Sequence, residues 1–361
     1  MESTVMSHKE RVLATLNNQQ PDRVPFFYWS VPEFTEKMIK HFGFSDIDEM
    51  LKFLDVDFRC VEPDYIGPEL RIDNAPIKKD IWGVTYKQKG HRKLKYWDID
   101  KSPLEGITEV AALKDFNVPT TDLFDFNSLN KKVEKYKNYA IMTAPGYSSP
   151  GLLRIIQKLV GKDNFNNILM YHPKFFAALV EKVSTFYLNF IEEFFKVTGN
   201  RVDFIRIADV FGTQSGVSIS QEMWDNVCKP VIEKYYEIPK NLGVKFYMHS
   251  SGGVRKLITE FFGLGVQILD PIQTYAVGMS PEGLKKDYGH LITFCGAIDE
   301  EMLLRRATPK NVKKKVKELL NIMAPGGGFI LGPAQKFKVE TPVKNVVAMY
   351  EAAREWTFST P

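Results

Sequence analysis

The sequence predicts an α/β fold, namely a single (β/α)8 barrel of the TIM type with an insertion over one face. Short apolar runs of strand length alternate with amphipathic helical segments such as 254–263 and 309–323. This alternation is typical of parallel sheets, and eight strands suit a closed barrel. The eight runs span 24–29, 56–60, 139–143, 202–208, 244–249, 266–270, 291–295 and 328–332.

The stretch 61–138 interrupts the alternation and is predicted to form the insertion. Residues 71–97 mix aromatic with basic side chains around a turn at Gly90, which indicates an antiparallel hairpin. We expect the insertion to form a wall or lid of the pocket. No linker or low-complexity segment divides the chain, so residues 1–361 are predicted to form one domain.

Composition and charge exclude several classes of protein. Of the 361 residues, 44% are hydrophobic and 25% charged, which permits a large core without disulfides or structural metals. The 48 basic and 44 acidic residues give a net charge of +4, too mild to indicate nucleic acid or a membrane surface as a partner. The three cysteines form no CxxC pair, and no secretory or membrane-spanning segment is evident. A cytoplasmic location is therefore expected.

Polar residues follow several of the predicted strands, where an α/β barrel keeps its active site. His249 ends one strand and is the main candidate for proton donation or metal ligation. The other interpretation is a histidine satisfied by its neighbours. Asp209 follows another strand and is predicted to orient His249, bind metal or accept a substrate hydrogen bond. Its alternative role is as the N-cap of the following helix.

Further residues at strand ends are candidates for binding. Gln273 and Gln335 are predicted either to hydrogen-bond a substrate or to stabilise turns. Cys295 is a candidate metal ligand beside His249, although a lone cysteine ending an apolar strand is usually a small core residue. Aromatic residues past the early strands are predicted to wall an aryl or methylammonium pocket, or simply to pack. They are Tyr28, Trp29 and Tyr147.

Several phrases of the sequence resemble the uroporphyrinogen decarboxylase superfamily. Each phrase is weak, but they follow one another in order along nearly the whole chain. The resemblance implies a distorted (β/α)8 barrel with a deep pocket, in agreement with the strand count. The phrases are 9–12 (KERV), 21–25 (PDRVP), 80–84 (DIWGV), 209–214 (DVFGTQ), 248–252 (MHSSG), 270–273 (DPIQ), 296–299 (GAID), 325–330 (PGGGFI) and 341–346 (TPVKNV).

Departures from the family pattern favour one of its branches. True uroporphyrinogen decarboxylases carry two arginines after the first strand that bind carboxylates, whereas this chain has 28–32 (YWSVP) there. The second branch transfers methyl groups to or from a corrinoid, and its thiol-specific members hold zinc through His-x-Cys and a distant Cys. Here 249–251 reads HSS and 333–335 reads PAQ. The resemblance therefore favours the members that demethylate ethers or methylamines.

The leading hypothesis is a methyltransferase that moves a methyl group from an aryl methyl ether or a methylamine to the corrinoid of a separate corrinoid protein. His249 would activate the leaving group as a proton donor or through a zinc ion. Two alternatives stay open. One is a decarboxylase or lyase of a small carboxylic acid that uses Asp209 and His249 as an acid–base pair. The other is a non-catalytic barrel that binds a corrinoid protein. A monomer or homodimer is expected.

Overall fold

A ring of parallel strands forms the centre of the computed structural model, which describes residues 5–70, 76–91 and 94–358, with backbone only at 91, 94 and 95. Seven strands pair in parallel, each with the next along the chain. They are β1 (Phe58–Val61), β2 (Ala140–Thr143), β3 (Phe204–Ala208), β4 (Lys245–His249), β5 (Val266–Ile272), β6 (Thr293–Ile298) and β7 (Phe329–Pro333).

The first predicted strand, 24–29, closes the ring through isolated hydrogen bonds. On one side the backbone N of Phe27 donates to the carbonyl of Leu331 in β7, at 2.8 Å. On the other side the backbone N of Asp57, just before β1, donates to the carbonyl of Phe26 at 3.0 Å. All eight predicted strands therefore contribute to the barrel wall, although the first is too irregular to count as a full strand.

Side chains inside the barrel alternate with side chains that pack under the outer helices, because successive strand residues point to opposite faces. Phe58, Phe204, Tyr247 and Cys295 belong to one interior cluster and are at most 2% exposed. Ile205, which follows Phe204, belongs to the outer core instead. The same alternation places the residues two positions further along these strands toward the barrel mouth.

Helices form the outer layer. The first begins with a capping box, in which Ser7 and Glu10 exchange hydrogen bonds of 3.2 and 2.9 Å. The sequence pattern over 32–54 predicts one helix, but the structure has two there, because Gly43 ends the first with a φ of 73°. None of the helices in the described ranges is long and apolar enough to cross a bilayer. The α-helices are His8–Leu16, Pro32–Phe42, Ile47–Phe53, Ser128–Lys135, Leu153–Val160, Lys162–Tyr171, Pro173–Thr198, Gln221–Met223, Lys229–Asn241, Ile258–Gly263, Pro281–Tyr288, Pro309–Met323 and Val343–Glu355, with π-helical turns at Trp224–Cys228 and Glu300–Leu304.

The insertion contains the predicted antiparallel hairpin. Its strands Thr85–His91 and Leu94–Lys101 pair along their length, and Ile77–Lys79 adds a third strand. Gly90 lies within the first of these strands, so the predicted turn is not at Gly90. Positions 71–75 and 92–93 of the predicted hairpin region lie outside the described residues.

The insertion packs beside the barrel and reaches its mouth. The Trp82 ring meets Phe186 of an outer helix edge-on, with 5.1 Å between centroids. Tyr96 of the hairpin lines a cavity of about 640 Å³ together with Pro32 and Lys338, which follow the first and last barrel segments. The hairpin therefore stands next to the mouth, where a wall of the pocket was expected.

A buried ion network fixes the amino-terminal region to the barrel. Asp57 is fully buried and accepts hydrogen bonds from Arg11 Nη1 at 2.7 Å, Arg23 Nη1 at 2.8 Å and the backbone N of Phe26 at 2.6 Å. His8 Nδ1 lies 2.8 Å from the same carboxylate. Arg11 and Arg23 belong to the phrases that carry the family resemblance. Two residues of these phrases therefore bind Asp57 and hold the amino-terminal region against the barrel.

Candidate active site at the carboxyl ends of the strands

A histidine–carboxylate pair lies at the barrel mouth. His249 ends β4, and Asp270 sits directly opposite it on β5. His249 Nδ1 is 2.6 Å from Asp270 Oδ2. An ionised carboxylate can only accept hydrogen bonds, so Nδ1 carries the proton and Nε2 keeps a free lone pair. Asp270 therefore holds the imidazole ring with Nε2 as an acceptor.

The surroundings keep His249 neutral. Burial, together with the positive charge of Arg206, lowers the pKa of His249 to about 4, although Asp270 opposes the shift. At neutral pH the side chain is therefore a base or a hydrogen-bond acceptor. Proton donation by His249, as expected from the sequence, requires an imidazolium that this environment disfavours.

Asp209 has other partners than those predicted. Its carboxylate accepts hydrogen bonds from the backbone N–H groups of residues 152–154, at 2.8, 2.9 and 2.8 Å, and so caps the helix Leu153–Val160. The side-chain hydrogen bond of His249 goes to Asp270 instead. The alternative prediction that Asp209 caps a helix is therefore confirmed. However, the capped helix precedes Asp209 in the chain, whereas the prediction placed it after Asp209.

We expect Asp209→Ala to lower the free energy of unfolding by about 1–3 kcal/mol, because it leaves buried N–H groups without acceptors. Denaturant titration measures this loss. The matched control is Asp46→Ala, since Asp46 is an exposed N-cap that accepts one such bond, from the N–H of Glu49. A loss at Asp209 no larger than the loss at Asp46 would contradict the assignment of Asp209 as a buried cap.

Both predicted glutamines lie at a groove of about 450 Å³ in the mouth. Gln273 accepts from the backbone N of Gly252 at 3.0 Å and donates to the carbonyl of Ala334 at 3.1 Å. It therefore joins the loops that follow two different strands, as the turn-stabilising alternative expected. Gln335 donates to the hydroxyl of Tyr275 and lines the same groove.

The predicted aromatic residues separate into two groups. Trp29 meets the ring of His249 edge-on, with 4.8 Å between centroids. It lines the groove of the two glutamines and also a second cavity of about 660 Å³, which Tyr28 lines as well. Tyr147 instead packs against Phe124 of the insertion, with 5.4 Å between centroids. Trp29 is thus the residue that connects both cavities to His249.

The larger cavity passes through the barrel wall between the segment 24–29 and β1. Phe58 and Cys60, which point into the barrel, line it from within. Arg59 lines it from outside, where its side chain is bonded to Asp48 of an outer helix. The lining therefore includes side chains from both faces of the wall at this seam.

Glu62 was missed by the sequence reasoning. It follows β1 and lines the same cavity, and its Oε2 atom is buried without a hydrogen-bond partner among the described residues. Burial raises the pKa of this carboxyl above its ordinary value. A signal existed, because Glu62 stands just beyond the predicted strand 56–60. The start of the insertion at residue 61 concealed it.

Arg206 is a second residue that the sequence reasoning missed. It lies in β3, is 3% exposed and donates from Nη1 to Ser149 Oγ at 2.9 Å. Its Nε atom has no acceptor within the described ranges. An arginine inside the apolar run 202–208 was the available signal, since a buried charge there must have a function or a partner.

The residues that the structure describes do not assemble the zinc site considered from the sequence. No three histidine, cysteine or acidic side chains among them are placed to hold a metal ion. Cys295 is fully buried, lies 3.4 Å from the Tyr247 hydroxyl, and its thiol pKa is raised well above the ordinary value by burial. This full burial favours the alternative interpretation of Cys295 as a small core residue.

The fold and the site define an α/β barrel protein with a histidine–carboxylate pair at its mouth. The chain belongs to the uroporphyrinogen decarboxylase (URO-D) family, whose family model matches residues 154–356. Among solved structures it is similar to a methyltransferase from Methanosarcina mazei, with 16% identity, coverage of 97% of this chain and 99% of that chain, and a TM-score of 0.66.

A B12-independent methionine synthase from Shewanella sp. W3-18-1 is similar over 64% of this chain and 67% of that chain, with 13% identity and a TM-score of 0.41. A search of the curated proteins found no matching sequence. At these identities, the likeness to solved structures concerns the fold alone.

Proposed function

We propose that this protein is a methyltransferase that moves a methyl group from a small donor to the corrinoid of a separate corrinoid protein. The observation that carries the proposal is the His249–Asp270 pair of a URO-D family barrel, in which His249 contacts Trp29, a residue that lines two cavities. The similar structure from Methanosarcina mazei is named a methyltransferase, which supports the same reaction class.

Two adjoining cavities support a reaction between two substrates. The cavity of about 660 Å³ is of the size that holds small ligands, and Tyr28 and Trp29 give it an aromatic wall suited to a methyl donor. Trp29 also lines the groove of about 450 Å³ at the mouth. The methyl group would pass from the first toward the second.

Methyl transfer is a nucleophilic substitution at carbon, so the protein must hold the donor with its methyl group in line with the acceptor. The acceptor is the cobalt(I) corrinoid, a substrate that the partner protein brings. Asp270 fixes the ring of His249, and the Nε2 atom holds the donor by accepting a hydrogen bond from an O–H or N–H group of the donor other than the methylated atom. Trp29 covers this contact and limits the access of water.

The rim of the mouth supports docking of a partner protein. Large apolar side chains are exposed in the loops that follow β3, β5 and β6, at 46% for Val210, 41% for Tyr275, 64% for Val277 and 59% for Met302. Exposed apolar residues grouped around a binding site are typical of protein–protein contacts. A corrinoid protein seated on this rim would present its cofactor to the groove.

The proposal is tested by mixing the protein anaerobically with excess cob(I)alamin and a panel of aryl methyl ethers and methylamines. We expect methylcobalamin, followed by its absorbance, to form with at least one donor and only when the protein is present. Absence of donor-dependent methylation across the panel would contradict the proposal. Release of carbon dioxide from small carboxylic acids without any corrinoid would support the decarboxylase alternative instead.

A further inference from the structure

The carboxyl of Glu62 lies at the cavity of about 660 Å³, which we call the seam cavity, and one of its oxygens has no hydrogen-bond partner among the described residues. Glu62 lines the cavity together with Tyr28 and Trp29, and its Oε2 atom is buried and unpartnered among the described residues. The loop after β2 closes over it, since a Cβ atom added at Gly146 would lie 2.9 Å from Oε2. A buried carboxyl oxygen without a partner is costly as an anion, but a protonated carboxyl can donate its hydrogen into the cavity.

Burial favours the protonated form of Glu62, whereas the charges of Lys132 and Asp64 act on it in opposite directions. Burial raises the pKa of the carboxyl above its ordinary value, and the nearby carboxylate of Asp64 raises it further. Lys132 opposes this shift, but its ammonium group is bonded to Asp64 at 2.6 Å. Two further titratable groups that interact with Glu62 are neutral at pH 7. Burial raises the pKa of Tyr147 to about 12, and Cys60 is an exposed thiol, a group whose ordinary pKa is about 8.5.

We propose that Glu62 is the proton donor to the leaving group, and that the methyl donor is therefore a methyl ether. This inference rests on the proposed methyl transfer. An ether leaves as an alkoxide or phenoxide, which needs a proton, whereas a quaternary ammonium leaves as a neutral amine and needs none. His249 is neutral with an accepting Nε2 atom, so the proton must come from another group.

The step balances in atoms and electrons. The bond between the methyl carbon and the ether oxygen breaks, and its electron pair stays on the oxygen, which takes the proton of Glu62. The new bond to the methyl group uses an electron pair of the cobalt(I) corrinoid, so cobalt is formally oxidised to cobalt(III). Glu62 is left as a carboxylate and regains its proton from solvent through the seam.

Glu62 and His249, which both lie at the carboxyl ends of strands, therefore have different roles in the proposed reaction. Burial raises the pKa of Glu62 and lowers the pKa of His249, so the surroundings favour the proton-carrying form of the first and the proton-free form of the second. Such separation of two pKa values by their surroundings is a recurring way to assign acid and base within one site.

The test is Glu62→Gln, measured by methylcobalamin formation with a series of aryl methyl ethers whose phenols differ in acidity. Loss of general acid catalysis should slow the poorest leaving groups about 10²- to 10⁴-fold, and the effect should shrink as the phenol becomes more acidic. A quaternary methylamine that serves as a donor should be slowed far less. An equal effect of Glu62→Gln on all donors would overturn the assignment, because a structural role does not depend on the leaving group.

The pH profile gives an independent readout. In the wild-type protein the rate with an ether of a weakly acidic phenol should fall as the pH rises through the raised pKa of Glu62, because the carboxyl then loses its proton. In Glu62→Gln this fall should disappear, and an unfolding midpoint like that of the wild type confirms that the variant is folded. If the wild type transfers no methyl group, the proposed function fails. If it does, and Glu62→Gln keeps the wild-type rate and profile, only the role of Glu62 fails.

Discussion

Replacement of His249 by alanine should lower the rate of donor-dependent methyl transfer about 100-fold or more. The Nε2 atom is the acceptor that Asp270 aims at the mouth, and a small misplacement of a reacting group can cost this factor. The loss should appear in kcat as well as in KM, because orientation is needed in the transition state. Initial rates of methylcobalamin formation at several donor concentrations measure both parameters.

Two aspartate variants sharpen this test. In Asp270→Asn the amide can donate to Nδ1, which moves the ring proton to Nε2 and removes the acceptor, so we expect a loss close to that of His249→Ala. In Asp209→Asn the remaining oxygen still caps the helix Leu153–Val160, so activity should stay within a few-fold of the wild type. A large loss in Asp209→Asn with full activity in Asp270→Asn would reverse the two roles.

Asp57→Ala should lower the free energy of unfolding by about 3–5 kcal/mol, because it leaves the buried Arg11 and the part-buried Arg23 without their shared carboxylate. Chemical denaturation at pH 7 measures the loss. The control is Asp55→Ala, since Asp55 also pairs with Arg23 but is 37% exposed at its side chain. Exposed pairs contribute about 0–1 kcal/mol, so a similar loss in both variants would contradict the network.

The lowered pKa of Asp57 predicts how the stability of the protein depends on pH. Burial alone would raise the pKa of Asp57, but hydrogen bonds and charges from His8, Arg23 and Arg11 hold it below its ordinary value. A carboxyl with a lowered folded pKa stabilises the protein above about pH 4, and this stabilisation is lost as the pH falls further. The wild-type protein should therefore lose stability in acid more steeply than Asp57→Ala does.

The barrel could be predicted because its elements follow from local patterns. The segment 309–323 has a regular apolar period, and the structure has a helix over Pro309–Met323 that Thr308 caps. The break at Gly43 was missed, since a single glycine within an amphipathic pattern is compatible with a continuous helix. Closure by the segment 24–29 depends on distant bonds that no local pattern contains.

The partner of His249 was harder to predict because two strands flank β4. His249 pairs in register with Ala208 on β3 and with Asp270 on β5. Asp209 lies one residue beyond Ala208, so its side chain points to the other face of the wall, toward the outer helix. Counting alternation along 202–208 would have shown this. The choice of Asp270 further required the register between β4 and β5, which the sequence does not contain.

Tracing the methyl carbon is the measurement that tests the central proposal most directly. The protein is incubated anaerobically with cob(I)alamin and a methyl donor carrying ¹³C in its methyl group, and the ¹³C spectrum is followed over time. We predict that the label moves from oxygen to cobalt in the wild type and far more slowly in His249→Ala. Label that stays on every donor tested, with wild type and variant alike, would contradict the account.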